Sequence, residues 1–483
     1  AYFSPPFFLV ANIYAPRERI MNKLPSALTC ACGYVILSLT IHKMRRGFFM
    51  KKLKVICIGA GGRGRGYFNI MSEQPDKFEL VGVADPIDAA RDVFIRSFGI
   101  PEENSYRSWE EILDRPKFAD IAVISTLDDM HYKPAMKAIE LGYDLLLEKP
   151  IAQTVEEISD IAKAAHKKGT RVIVCHVLRY TPFYKKVKDI VDSGAIGEIM
   201  SVIALERVQN IHYSHSYVRG NWHSEKESTP MLLAKSCHDI DIIQWLLGKT
   251  CKKVSSFGDL TYFKSENAPE GAPVRCADGG CPIADTCPYN CIKLYYDDKK
   301  NLWFRRAAAK GISETTYPTD DEVMEALRTT DYGLCVFHAN NDVVDHQVVD
   351  MLFEGNVTAS FTMNPFNGGG RAIHLFGTEG ELVAEANDTA IRVFSFAAKS
   401  WREVPVVETD ESILGGHGGG DQGMIADLYE YFNGIYNGCS VADISVSAAN
   451  HLIVFAAEKA RHTDTVVDVD EYFREFGLEN IYR

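Results

Sequence analysis

The sequence predicts an α/β protein in which a doubly wound parallel sheet is followed by an α+β region with an open, mainly antiparallel sheet. Three observations predict it. Apolar runs of strand length alternate with helical patterns through residues 53–175, the pattern of parallel strands covered on both faces. After about Thr181 the strand-like runs alternate with period two, as a sheet with one buried face requires. The first apolar run also ends in Gly59-Ala60-Gly61-Gly62-Arg63-Gly64, a glycine pattern that carries meaning only between a strand and a helix.

The elements follow in order. Candidate parallel strands are Leu53–Ile58, Phe78–Ala84, Ile121–Thr126, Tyr143–Leu147 and Arg171–Cys175. Helical patterns at Ala89–Ser97, Trp109–Leu113, Tyr132–Leu141 and Val155–Lys168 separate them. A helix over Pro182–Ser193 then leads to a long strand, Glu198–Val208. The period-two runs are Val254–Tyr262, Val343–Phe353, Asn356–Met363, Ala372–Phe376 and Glu381–Ala384, and helices over Asp421–Asn433 and Val446–Arg461 close the chain.

The glycine pattern fits the dinucleotide fingerprint of a Rossmann domain. Gly59 permits the tight turn, Gly61 lets backbone approach a pyrophosphate, and Gly64 lets a helix from about Arg65 to Ser72 pack on the strand. Ala60, Gly62 and Arg63 lie in the same phosphate-facing turn, whose helix end offers free N–H groups. Asp85 ends the second strand about twenty residues on, where a carboxylate binds the ribose 2′-hydroxyl and repels a 2′-phosphate. NAD is therefore expected rather than NADP. Asp85 precedes Pro86, a pairing that also suits a helix N-cap.

The 483 residues allow two or three domains, and the 65 acidic against 52 basic residues argue against nucleic acid or an anionic membrane as partner. The balance fits a cytoplasmic enzyme. Residues 1–49 read differently from the rest. Their apolar patch, Ala27–Ile41, is interrupted by Cys30, Cys32 and Gly33 and is too short for a membrane span. Met50-Lys51-Lys52 reads as a natural start. The expectation is an extension over 1–49, disordered or translated from upstream sequence, with a membrane tether as the alternative. A nucleotide domain over 50–175 and a substrate and oligomerisation domain over 176–483 follow, with a cysteine-rich loop at 270–295.

Glu148-Lys149-Pro150 closes the strand Tyr143–Leu147. In a doubly wound sheet that places Lys149 at the carboxyl edge, where a desolvated lysine can polarise or deprotonate a substrate hydroxyl. Taken alone, it reads first as a surface lysine at a strand end. With the fingerprint, Asp85, Ala122-Val-Ile-Ser-Thr126, His131 and Glu148-Lys149-Pro150, the chain from Met50 onward resembles the Gfo/Idh/MocA oxidoreductase family. The resemblance implies NAD(P)-dependent hydride transfer at a sugar or cyclitol carbon, and a homodimer or homotetramer. It also implies Lys149 as the central catalytic lysine, and cofactor contacts from Thr126, His131 and Glu148. The family's helix motif G-x-H-x-x-D aligns with Leu233–Asp241. This gives His238 the general acid/base position and Asp241 the orienting acid, which shares a helix face three residues on. Where the family often has an acid or tyrosine four residues before the histidine, this chain has Ala234 with Lys235 beside it; either Lys235 replaces that relay, or His238 and Lys149 act without it.

Arg179 and Tyr180 match a family position that meets substrate hydroxyls. The segment His212–Trp222 offers His215, Tyr217 and Arg219 as donors and aromatic faces for a sugar, with Trp222 reading as a packing residue. His417, in a glycine-rich run before Asp421, is a further substrate candidate; the run also reads as a linker capped by Asp421. Cys276, Cys281, Cys287 and Cys291 lie close in sequence, and in a reducing compartment they point to structural tetrathiolate zinc, with free thiols or disulfides as the alternatives. Two activities compete with a sugar or cyclitol dehydrogenase. One is an NAD-dependent glycosidase working by transient C3 oxidation and elimination, with Tyr217, His215 or Glu206 as its extra acid or base. The other is a non-catalytic NAD(H)-binding protein.

Overall fold

The computed structural model describes residues 50–313, 317–406 and 417–478; the extension expected over 1–49 lies outside them. The first sheet is built from β1 (Leu53–Ile58), β2 (Phe78–Ala84), β3 (Ser105–Tyr106), β4 (Ile121–Ile124), β5 (Asp144–Leu147) and β6 (Val172–Val174). Its order is β3-β2-β1-β4-β5-β6 with every pair parallel. The order reverses between β1 and β4, so a crevice opens at their carboxyl ends. Helices α1 (Gly62–Ser72), α2 (Asp88–Phe98), α3 (Trp109–Leu113), α4 (Tyr132–Leu141) and α5 (Val155–Lys168) make the crossovers. β1, β4 and β5 are sealed because their runs carry hardly a polar side chain, and Val55, Ile56, Ile121, Val123, Leu145 and Leu146 are all fully buried.

After α6 (Pro182–Asp192), β7 (Ile199–Arg207) enters a nine-stranded sheet. Three short or medium helices follow: α7 (Asn210–Tyr213), α8 (Met231–Ala234) and α9 (Cys237–Leu247). β8 (Cys251–Asp259), α10 (Leu302–Ala308), α11 (Asp320–Thr329), β9 (His346–Phe353), β10 (Val357–Asn364), β11 (Gly370–Gly377), β12 (Gly380–Glu385), β13 (Ala390–Ser395) and β14 (Ser400–Pro405) come next. With β15 (Val467–Asp468) at one edge, the sheet order is β14-β13-β12-β11-β7-β10-β9-β8-β15, antiparallel except for the parallel pair β10 and β7. One face is buried by alternate residues such as Val202, Ala204 and Glu206, while Ile203 and Phe257 stand exposed on the other.

The chain ends in α12 (Gly420–Phe432), α13 (Ile444–Thr463), β15 (Val467–Asp468) and α14 (Val469–Glu475). α12 leaves the second sheet and covers the first: Met424, Ile425, Leu428 and Phe432 share a core with Val55, Cys57, Val123 and Ile173. Among the described residues no helix is long and apolar enough to cross a membrane.

Candidate active site

The glycine turn has the shape the fingerprint requires. Gly59 has φ +95°, and a Cβ there would stand 2.6 Å from the Ser125 carbonyl carbon. A Cβ on Gly64 would stand 2.4 Å from Gly59 O, so α1 can lie on the turn only with glycine there. Gly61 and Gly62 differ: a Cβ on either meets nothing within 4 Å. α1 starts at Gly62, three residues before the predicted Arg65, and no side chain caps it. Bare N–H groups beside open space form a cradle that fits a pyrophosphate. Asp85 stands against the turn. Its Oδ2 accepts from Ala60 N at 2.8 Å and its Oδ1 from Ile87 N at 2.9 Å. The N-cap of α2 is Ile87, so Asp85 is a brace between turn and helix and not the cap residue.

Arg63 points inward from the turn. Its Nε donates to Glu148 Oε1 at 2.8 Å, and its Nη2 and Nη1 donate to Asp421 Oδ1 and Oδ2 at 2.7 and 2.9 Å. Tyr67 donates to Glu148 Oε1 as well. Burial works to raise the Glu148 carboxyl, but the Arg63 charge and these hydrogen bonds outweigh it and hold it below the usual range. Arg63 and Glu148 were expected to meet cofactor; the structure turns them toward each other. His417 joins them, its Nδ1 lying 3.2 Å from Asp421 Oδ2. Asp421 lies inside α12, whose N-cap is Gly419, so the capping role expected of Asp421 is replaced by an ion pair. His131 is also inward: it is fully buried, with Nδ1 2.7 Å from Pro150 O and Nε2 3.3 Å from Thr126 O. It ties the loop after β4 to the segment after β5, and Thr126 Oγ1 is spent on Met130 O.

Glu148 Oε2 accepts from Lys149 N at 3.1 Å, which fixes the backbone that carries the lysine. Lys149 Nζ donates to Ala234 O, the last residue of α8, at 2.7 Å, and lies 6.0 Å from the centre of the Trp222 ring. Trp222 in turn donates from Nε1 to Asp128 Oδ2 at 2.8 Å. His238, at the start of α9, is 9% exposed. Its Nδ1 is sealed from solvent without a hydrogen-bond partner, and its ring meets His176 edge-on at 5.6 Å. Burial first, and then the Lys149 charge, push its pKa well below the ordinary value. The imidazole is therefore neutral at pH 7.

Asp241 does not orient His238. It is fully buried and forms a two-bond pair with Arg179, Nε to Oδ2 and Nη2 to Oδ1, both 2.6 Å. The i, i+3 argument put the acid on the right face, but a nearer guanidinium takes it. Arg179, expected at the substrate, has its guanidinium taken by Asp241, and Tyr180 beside it is 2% exposed with its hydroxyl sealed and unpartnered. Lys235 faces Glu206 at 3.5 Å, and Arg371 bridges that carboxylate to Asp239, donating from Nε at 2.8 Å. Burial lowers the Lys235 pKa. Burial, with Glu206 beside it and Arg371 opposing, pushes Asp239 up to about 7. Asp239 and Arg371 escaped the sequence reading. Arg371 lies opposite Glu206 in the β11–β7 register, a pairing no local pattern announces.

Of the aromatic segment, Tyr217 stays near this cluster, stacked between Tyr213 and Trp222 at 5.6 and 5.9 Å. Glu206 and Asp128 add to burial in raising its phenol. His215 does not stay there. It stacks on Phe304 at 4.2 Å with its Nδ1 3.1 Å from Tyr295 Oη, and burial lowers its pKa to about 3. Arg219 is turned away as well, donating to Leu334 O and Tyr289 O at 2.8 Å each. Both were substrate candidates because they are polar; they are interior because aromatic neighbours and carbonyls absorb that polarity.

Of the expected zinc quartet, no three sulfurs lie within 4.8 Å of one another. Cys291 is fully buried in an apolar cluster with Tyr295, Phe304 and Leu327. Its Sγ faces Gly333 O at 3.9 Å, and its nearness to Cys276 draws that thiol down to about 6. Glu225, Glu458 and His462 do converge within 4.8 Å, but Arg461 Nη2 already lies 3.0 Å from Glu225 and 2.7 Å from Glu458. That arginine supplies the charge a cation would bring.

Residues 53–176 match the oxidoreductase family with an NAD-binding Rossmann fold, and residues 184–283 match the GFO/IDH/MocA C-terminal domain. YteT of Bacillus subtilis, assigned as an oxidoreductase, is 25% identical over 379 residues, spanning 74% of this chain and 84% of its own. The NAD(+) scyllo-inositol 2-dehydrogenase of Bacillus subtilis is 29% identical over 205 residues, 41% of this chain and 56% of that enzyme. A solved levoglucosan dehydrogenase, complexed with NADH and L-sorbose, has the same fold, with TM-score 0.61 at 19% identity over 87% of this chain and 99% of that one.

Proposed function

Because the chain belongs to the GFO/IDH/MocA oxidoreductase family, we propose that it is an NAD-dependent dehydrogenase acting on a hydroxyl-bearing carbon of a sugar or cyclitol. The observation that carries this reading is the placement of Lys149 just after β5, tethered at 2.7 Å to Ala234 O in the segment that leads into α9 and His238. The cradle at Gly61 and Gly62 and the braced Asp85 suit a dinucleotide with a free ribose 2′-hydroxyl, hence NAD before NADP.

NAD, when bound, supplies the hydride acceptor. The chain's own part is the proton. One of the three Lys149 protons is given to Ala234 O, leaving two to donate to a substrate hydroxyl oxygen and stabilise its developing negative charge. The hydroxyl proton passes to the His238 ring, through the nitrogen that is not sealed off. Lys235, Glu206, Arg371 and Asp239 supply a wall of paired donors and acceptors for the remaining hydroxyls. Tyr217 and Trp222 supply aromatic faces for its C–H surface. The exposed Ile203 and Phe257 on the second sheet suit pairing of two or four copies of the chain.

One observation favours a glycosidase of the same fold as a second reading: Asp239, held near neutrality by burial beside Glu206, could protonate a leaving group. A panel of inositols, sugars and aryl glycosides incubated with NAD tests both. Stoichiometric NADH marks the dehydrogenase; turnover at substoichiometric NAD with aglycone release marks the glycosidase. No NAD binding and no substrate-dependent change across the panel would sink both.

A further inference from the structure

Within the cysteine-rich region, Cys276, Cys281 and Cys287 line one cavity of about 250 Å³, and a residue far along the chain, Cys335, completes its thiol lining. Backbone pairing puts Cys335 there: its N–H donates to Val274 O at 2.9 Å, and Leu334 bridges antiparallel to Arg275, so Cys335 lies across from Val274, two residues before Cys276. Cys291 lies behind the wall, in the apolar cluster of α10 and α11, with its Sγ directed at Gly333 O.

Arg219 gives an independent sign that anionic sulfur belongs in the cavity. It is 3% exposed and lines the same wall. Its Nη2 donates to Tyr289 O, two residues past Cys287, and its Nε to Leu334 O, next to Cys335. Its Nη1 is buried, with no hydrogen-bond acceptor. A guanidinium buried with one donor idle is costly unless an anion faces it. A centre of thiolates carries net negative charge and takes N–H donors on its sulfurs.

We propose that Cys276, Cys281, Cys287 and Cys335 hold one thiolate-bound metal centre, zinc in a closed tetrahedral set or an iron–sulfur cluster, with Arg219 as its countercharge. No three of these sulfurs lie within 4.8 Å of one another, whereas sulfurs about 2.3 Å from one zinc ion stand roughly 3.8 Å apart. Zinc loading therefore draws the loop inward, while a cluster needs less closure. Either way the centre staples the loop to the Cys335 segment, and through Arg219 it anchors the turn that presents Tyr217 and Trp222. As zinc the centre is structural, because four thiolates leave no open position for chemistry.

The test is metal content of the full chain, purified without chelator, with thiol accessibility as a readout free of activity. About one zinc per chain and no visible absorbance identifies the ion. Iron with inorganic sulfide and visible absorbance identifies the cluster. In either case a chelator that removes the metal exposes about four further thiols to a disulfide reagent. Cys335→Ser abolishes loading, and Cys291→Ala retains it. Metal-free protein with thiol reactivity unchanged by chelator, or disulfides among these cysteines, overturns the proposal. So does loading that survives Cys335→Ser and fails in Cys291→Ala. None of these results bears on NAD binding or turnover, so this inference and the dehydrogenase reading fail separately.

Discussion

Arg63 and Asp421 face each other through two hydrogen bonds, at 2.7 and 2.9 Å, although 358 positions separate them in the chain. The same guanidinium holds Glu148, so the glycine turn, the residue before Lys149 and the start of α12 are one rigid assembly.

Asp421→Asn breaks that assembly from one side. Removing one partner of a buried ion pair costs about 3 kcal/mol or more, so the urea midpoint should fall accordingly. The wild-type carboxyl is held well below the usual range, burial being outweighed by hydrogen bonds from His417 and Arg63. Its contribution is therefore fully present above the unfolded carboxyl pKa and is lost only as pH falls through the lower folded value. NAD affinity, read by calorimetry, should weaken as the turn loosens. Unchanged stability would remove the pair from any structural role.

Lys149→Ala should lower turnover by roughly 10²–10⁴-fold, the range of a positioned proton-transfer group. NAD affinity should stay within about threefold, because the lysine donates to Ala234 O and lies outside the glycine cradle. Stopped-flow kinetics and calorimetry together check the split; equal losses in both would make Lys149 a cofactor-binding residue only.

Asp85→Arg should move the ratio of kcat/KM toward NADP by at least about tenfold, and it should also weaken NAD. The second effect arises because Asp85 accepts from Ala60 N inside the turn. A variant with undiminished NAD preference would dismiss Asp85 from the ribose site.

Acid stability should reflect the buried imidazoles. His176, His215, His238 and His451 all have pKa values lowered, burial being the first cause, with His215 and His451 near 3. Their unfolded forms bind protons below about pH 6.5 while the folded forms do not, so stability falls as pH drops below that value. The slope is about 1.4 kcal/mol per pH unit for each fully titrating histidine. Urea midpoints at pH 7, 6 and 5 measure it. His215→Phe, placed against Phe304, should shallow the slope by about one proton.

Arg179→Met should destabilise by about 3 kcal/mol, since it strands the buried Asp241 carboxylate. The KM for a working substrate should change by less than about threefold, because Asp241 occupies the Arg179 fork from two sides. A large KM change with intact stability would restore Arg179 to substrate binding.

Much of this arrangement was legible in the sequence. Period and turn chemistry are local, so β1, β2, α4 and α5 stand where their patterns put them, and the glycine turn was readable because each glycine has a separate steric reason. The side chains that failed did so for a shared cause. Arg179, Asp241, His215 and Arg219 are polar residues whose partners come from distant segments, and a sequence shows polarity without showing what satisfies it. Cys335 and Arg371 were hidden for the converse reason: strand pairing brings them to their neighbours, and register across a sheet is a tertiary fact. β13 and β14 were passed over because Ala390–Ser395 and Ser400–Pro405 mix charged residues into short runs.

The path of α12 governs when the protein can mature. Part of the apolar surface of β1, β4 and β6 is covered by Tyr67, Phe68 and Met71 of α1, and the rest finds its cover in Met424, Ile425, Leu428 and Phe432. A ribosome must therefore finish most of the message before the first-made sheet can close. Until then that surface stands open to chaperones or to its own kind, and a truncation that spares every glycine of the turn would still leave it bare.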